Sequence, residues 1–145
     1  MSNGARLRRF LVGFDGSREA VVAIDLAAAL HAELTVLSVL PDLSHLETLD
    51  ARAAAERSAR AQLEAQLTAG RLHAASASVP LADVVVGGDP AGTIARHADE
   101  HGFDLVVVGC HGRERTTHGG MGRVVERLLR DPRWPVLVAG DPAGR

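Results

Sequence analysis

Between Phe103 and Val124 the chain reads FDLVVVGCHGRERTTHGGMGRV, and this stretch is the one whose residue types best fit a chemical task. Glycine occupies positions 109, 112, 119, 120 and 122, five of fourteen residues, more than a simple turn requires. A loop so poor in Cβ atoms lets backbone N–H groups approach an anion closely, and a helix beginning after it adds unpaired N–H groups and a positive dipole end. Such a helix end stabilises an anion by roughly 0.3–1 kcal/mol when exposed and up to about 2 when partly buried, so several loop amides must share the work. Phosphate is the natural guest. His118 and Thr116 or Thr117 farther along the loop could touch phosphate or merely solvate it.

A second candidate is Asp15, in Gly13-Phe14-Asp15-Gly16-Ser17 at the end of an apolar run. Its plain role is to cap the next helix or make a turn. Its place at the carboxyl end of a strand gives it a second one, because open α/β sheets bind ligands along that edge. The order of this segment does not fit a pyrophosphatase-type S-G-G-x-D-S loop.

Three other chemistries are weighed and set aside. His97-Ala98-Asp99-Glu100-His101 matches H-x-x-E-H, the inverted zinc-peptidase pattern. These histidines, however, close a helix whose negative end imidazolium also complements, and that end belongs at the sheet edge away from the ligand crevice. Cys110 and His111 are adjacent, so in extended chain their side chains diverge, and no third orienting group is evident for a cysteine nucleophile. Finally, Gly87 to Thr93, GGDPAGT, has the look of a phosphate loop, but all 16 basic residues are arginine and a Walker-type loop needs lysine. The dinucleotide fingerprint G-x-G-x-x-G follows no strand. No residue stands as a general base aimed at water, so efficient hydrolysis is not expected.

The elements that must position these residues alternate. Arg9 to Phe14 reads as a first strand, followed by a helix whose buried stripe is Ala20, Ile24, Ala27 and Ala28. Leu34 to Leu40 is a second strand. A long alanine-rich helix runs from about Leu46 to Leu72, with Leu63 and Leu67 one turn apart and Arg/Glu pairs such as Arg60 and Glu64 on the wet side. Ala74 to Leu81, with an interior proline, reads as a surface connector. Asp83 to Gly87 is a third strand; Asp89 and Pro90 open a helix carrying Ile94, Ala95 and Ala98, which Gly102 ends. Leu105 to Val108 is a fourth strand without polar interruption, buried on both faces. Val124, Val125, Leu128 and Leu129 fall at helical spacing after the glycine loop, and Pro135 to Val138 is the last strand. Trp134 before it reads as a core or interface anchor. Strands alternating with helices imply a parallel sheet with helices on both faces.

Length and composition set the outer bounds. A chain of 145 residues that is 46% apolar holds one domain, 1–145, with a real core. A net charge of −2, from 16 basic and 18 acidic residues, gives no general attraction to nucleic acid or anionic membrane. The apolar runs are too short to span a bilayer, no signal-peptide pattern is present, and the single cysteine rules out an intrachain disulfide; a cytoplasmic location is the expectation.

The spacing of Gly109, Gly112 and Gly122 resembles the signature G-x2-G-x9-G-[ST] of the universal stress protein family, with Arg123 where the signature has Ser or Thr. The likeness runs from Phe10-Leu11-Val12-Gly13-Phe14-Asp15-Gly16-Ser17 to Pro135-Val136-Leu137-Val138. It implies an open parallel five-stranded sheet in the order 3-2-1-4-5, an adenine nucleotide α hydrolase-like, Rossmann-like three-layer sandwich. It implies an adenine nucleotide (ATP, or AMP or ADP, with Mg2+ where required) between the first and fourth strands. Gly13, Phe14, Asp15 and Val39 would hold the adenosine end; Val108, Gly109 and Gly112 would line the loop; Gly122, Arg123 and Val124 would take the phosphates. Two readings of Arg123 stand side by side: its guanidinium grips phosphate, or it fills the phosphate pocket. The resemblance also implies a homodimer through the last strand, Pro135 to Val138, whose apolar edge invites pairing. The implied role is a stress or signalling switch with at most slow hydrolysis. The rival is a protein of the same fold that binds no nucleotide and acts through its dimer surface.

Overall fold

The computed structural model describes residues 7–14, 19–40, 42–109, 123–130 and 133–139. Its elements are β1 (Arg9–Phe14), α1 (Glu19–Ala29), β2 (Glu33–Leu40), α2 (Leu49–Ser76), β3 (Leu81–Gly87), α3 (Pro90–His101), β4 (Leu105–Gly109), α4 (Arg123–Arg130) and β5 (Val136–Ala139). The strands form one sheet in the order β3-β2-β1-β4-β5, every pair parallel, as the alternation and the resemblance imply. Parallel neighbours require a crossover, and helices supply each one.

The sheet is covered on both faces. On one, Phe10, Val12, Leu34, Val36, Leu105 and Val107 pack against Ala23, Ile24 and Ala27 of α1 and Leu63, Leu67 and Ala74 of α2. On the other, Leu11, Leu37, Val106 and Val108 meet Ile94 and Ala98 of α3 and Val125 and Leu128 of α4. Period-two alternation along each strand therefore sends successive side chains into two separate cores. Trp134 is half-buried against the second core, which is the anchoring role read from sequence.

Several boundaries differ from the sequence expectation. α2 begins at Leu49, where Thr48 accepts a hydrogen bond from the Ala51 N–H at 3.0 Å, a cap the apolar pattern alone does not reveal. It continues to Ser76, so the Ala74 to Leu81 connector is neither all loop nor all surface: Ala74 and Val79 are buried, and the Val79 N–H donates to the Ala74 carbonyl. β3 starts two residues before Asp83. Arg60 pairs with Glu56 at 3.1 Å, whereas Glu64 pairs with Arg71, because Arg71 is held between Glu64 and Asp83 of β3. In α1, Ala23 is buried and Ala28 only half-buried; the side chain of Ala20 lies outside the described residues.

Candidate functional site

The helix starts and strand ends that matter gather at one edge. β1 and β4 are adjacent, with Phe10 beside Leu105, Leu11 beside Val106 and Val12 beside Val107. Both strands run toward the same edge, and the chain leaves it in opposite senses: after β1 toward α1 on one face, after β4 toward α4 on the other. This is the switch point of a doubly wound sheet, where such folds open a crevice. Asp15 follows β1 directly and the glycine run follows β4 directly, so the two sequence signals start from neighbouring strands.

Among the ten candidates, Gly13 and Phe14 are the last residues of β1, in register with Leu37 and Ser38 of β2. Val39, half-buried, is in register with Val86 of β3 at the same edge. Val108 is buried in the α3/α4 core, so at that position only the backbone is offered to a ligand. Gly109 belongs to β4 rather than to the loop, beside Ala139 of β5. Arg123 is the first residue of α4, and Val124 is half-buried against the α3/α4 core. Asp15, Gly112 and Gly122 lie outside the described residues, as do Cys110, His111, Thr116, Thr117, His118, Gly119 and Gly120 and the side chains of Phe14 and Arg123.

Gly13 carries a constraint that sequence reading missed. A Cβ there would lie 2.8 Å from Ile94 Cδ1 and 3.3 Å from Val108 Cγ1. Ile94, in the second turn of α3, thus rests on the bare backbone of β1. The signal was available only as an apolar residue 81 positions away.

Two further groups favour this edge as a place for a ligand. Ser38 Oγ and Thr93 Oγ1 are the buried side-chain polar atoms without a hydrogen-bond partner among the described residues. Buried hydroxyls are ordinarily satisfied, and an orphan points to a missing partner. Ser38 lies near the end of β2 and Thr93 in the first turn of α3, so both sit toward the carboxyl edge. The site also holds a cation that sequence reading missed: Arg127 of α4 donates to Asp89, whose other acceptor role is to cap α3 from Gly92 N–H at 2.9 Å.

The H-x-x-E-H histidines lie at the opposite edge, as expected. His101 ends α3, its carbonyl accepts from Arg9 at the start of β1, and its ring is 4.3 Å from that of His97. Burial, then the neighbouring His101, pushes the His97 imidazole below the usual histidine range, and its ring stacks on Phe103 at 5.7 Å. Among the described residues no three metal-ligating side chains converge, and no helix is long and apolar enough to cross a membrane.

Comparisons with known proteins agree with this architecture. The model of the universal stress protein family matches residues 6–140. The solved structure of the protein MJ0577 superposes with a TM-score of 0.82 at 20% identity, covering 94% of this chain and 97% of that one. A universal stress protein solved in complex with cAMP is 25% identical, with a TM-score of 0.66 over 93% of this chain and 98% of its own. The universal stress protein from Archaeoglobus fulgidus in complex with dAMP is 14% identical, with a TM-score of 0.61 over 91% and 96%.

Proposed function

The chain belongs to the universal stress protein family, and from that footing we propose that it binds an adenine nucleotide, ATP or its shorter forms, in the crevice between β1 and β4. In this reading Gly13, Phe14, Asp15 and Val39 hold the adenosine end, Val108, Gly109 and Gly112 line the loop, and Gly122, Arg123 and Val124 receive the phosphates, with Mg2+ where a triphosphate needs it. The observation that carries it is the β1–β4 pairing, which starts the Asp15 segment and the glycine loop from adjacent strands. The orphaned hydroxyls of Ser38 and Thr93 support it, as do the family members solved with cAMP and dAMP. The sequence offers no general base aimed at water, so in this reading the protein acts as a binding switch in the cytoplasm with at most slow hydrolysis. A homodimer through β5 belongs to the same proposal. That strand pairs on one side with β4, and its Val136, Leu137 and Val138 are half-buried.

Thermal unfolding with and without Mg-ATP, ADP and AMP tests the reading. Ligand at 100 times its dissociation constant adds about 2.7 kcal/mol, which raises the midpoint by roughly 5 °C or more for a chain of this size. Asp15→Ala and Gly122→Val each remove the shift. Absence of a shift with any of the three at millimolar concentration would overturn the proposal in favour of a dimeric interaction module. Arg123→Ser then decides between the two roles of that arginine: weaker binding means a grip on phosphate, stronger binding a plug removed.

A further inference from the structure

We propose that Arg127 is a phosphate-selecting residue: Asp89 holds its guanidinium beside the α3 N-terminus, where it is shared with the outer phosphates of a bound nucleotide and favours triphosphate over monophosphate. The inference deepens the nucleotide reading above and takes from it only that phosphates lie at the start of α4.

Arg127 stands four residues into α4, about 6 Å along the axis from its first residue. Helical side chains lean toward the helix N-terminus, so a long one at this position reaches back toward the phosphate end. The bond to Asp89 fixes where it goes, because Asp89 is the N-cap of α3, two residues past the end of β3 at the carboxyl edge of the sheet. A positive charge from α4 is thereby held at the N-terminus of α3. Gly92 clears the seat: a Cβ there would be 3.0 Å from Asp89 Oδ2 and 3.9 Å from Arg127 Nη2.

As a stability device this pair is weak. The side chains are 63% and 57% exposed, and exposed pairs contribute about 0–1 kcal/mol. As a ligand device it is well placed. The bond to Asp89 uses Nη1, and a guanidinium has five N–H donors, enough to keep the carboxylate and take a phosphate oxygen. The same turn also holds a buried hydroxyl that has no partner among the described residues: Thr93 Oγ1, on a residue 5% exposed, lies 3.1 Å from where a Cβ on Gly88 would be. A monophosphate held at the first turn of α4 would not extend to Arg127; a triphosphate would.

Calorimetric titration of AMP, ADP, ATP and inorganic tripolyphosphate into the wild-type chain, Arg127→Gln and Asp89→Asn tests this. Arg127→Gln weakens ATP about tenfold, the worth of one charge-assisted hydrogen bond, and AMP by less than about twofold. Asp89→Asn keeps the cap, since Asn caps as well as Asp, and by removing the competing charge tightens ATP about threefold without moving AMP. Equal effects of Arg127→Gln on ATP and AMP, or none on either, overturn the inference while leaving the nucleotide reading intact. A wild-type chain that binds tripolyphosphate through Arg127 but no adenine nucleotide overturns the nucleotide reading and supports the inference. Binding of neither overturns both.

Discussion

The two ends of the sheet are built to opposite plans. At the amino edge, Asp104 accepts from the backbone N–H groups of Arg8 and Arg9, each at 3.0 Å, and returns its own N–H to the Arg9 carbonyl at 2.9 Å. Arg9 spends its guanidinium on Glu33 at 3.0 Å and on the His101 carbonyl, and stacks over Phe103 at 4.8 Å. Donors and acceptors are matched there, across three elements. At the carboxyl edge a glycine stands where a side chain would collide, two buried hydroxyls lack partners among the described residues, and a cation is held on the exposed α3 cap. Groups that satisfy one another stabilise a fold; groups left unsatisfied at a crevice are what a ligand can complete. The contrast explains how one small sheet can be well tied and still offer a site.

Substitutions at either edge of the sheet should show this difference. The largest effect is expected for Gly13→Val, which drives methyl groups into Ile94 and Val108; overpacking of this kind costs about 1–3 kcal/mol, read as a lower midpoint in ligand-free thermal unfolding. Combining it with Ile94→Ala should recover part of the loss, and no recovery would mean that the collision is not the cause. Next comes Asp104→Ala, which strands two backbone donors at the amino edge. It should cost about 1.5 kcal/mol in urea unfolding, the scale of a hydrogen bond to a charged group. Nucleotide affinity should stay unchanged; a change in affinity would show that the two edges are coupled. The smallest effect sharpens the contrast by its sign: Thr93→Val replaces an unsatisfied hydroxyl with a methyl group and should stabilise the ligand-free protein by about 1 kcal/mol, at the low end of the cost of an unpaired buried hydroxyl. A destabilised variant would mean that the hydroxyl has a partner after all.

Much of this was legible in residues close together in the chain. The α3 cap and stop are local events, and Asp89, Pro90 and Gly102 announce them; Asp89 does accept from Gly92, and Gly102 does adopt the left-handed conformation at φ 65°. Alternation of strands and helices likewise specified a parallel sheet covered on both faces. Less legible was any feature that needs a partner from another element. Val79 looked like connector because its neighbours are polar, yet it is buried beside the end of α2. Arg60 and Glu64 satisfied a helical spacing rule, but Asp83 on β3 drew Arg71 to Glu64 instead.

The same division holds at the site. Periodicity and turn chemistry depend on neighbours a few residues apart, so the sequence by itself determined the elements, their order and the two segments that could meet a phosphate. That β1 and β4 are neighbours followed only from the family resemblance, and tertiary structure alone decided that Gly13 is the passage for Ile94 and that Arg127 is anchored by Asp89 at the carboxyl edge. Those contacts join residues separated by 38 to 95 positions, and which of many chemically equivalent partners meets which is a matter of packing, which no local pattern encodes.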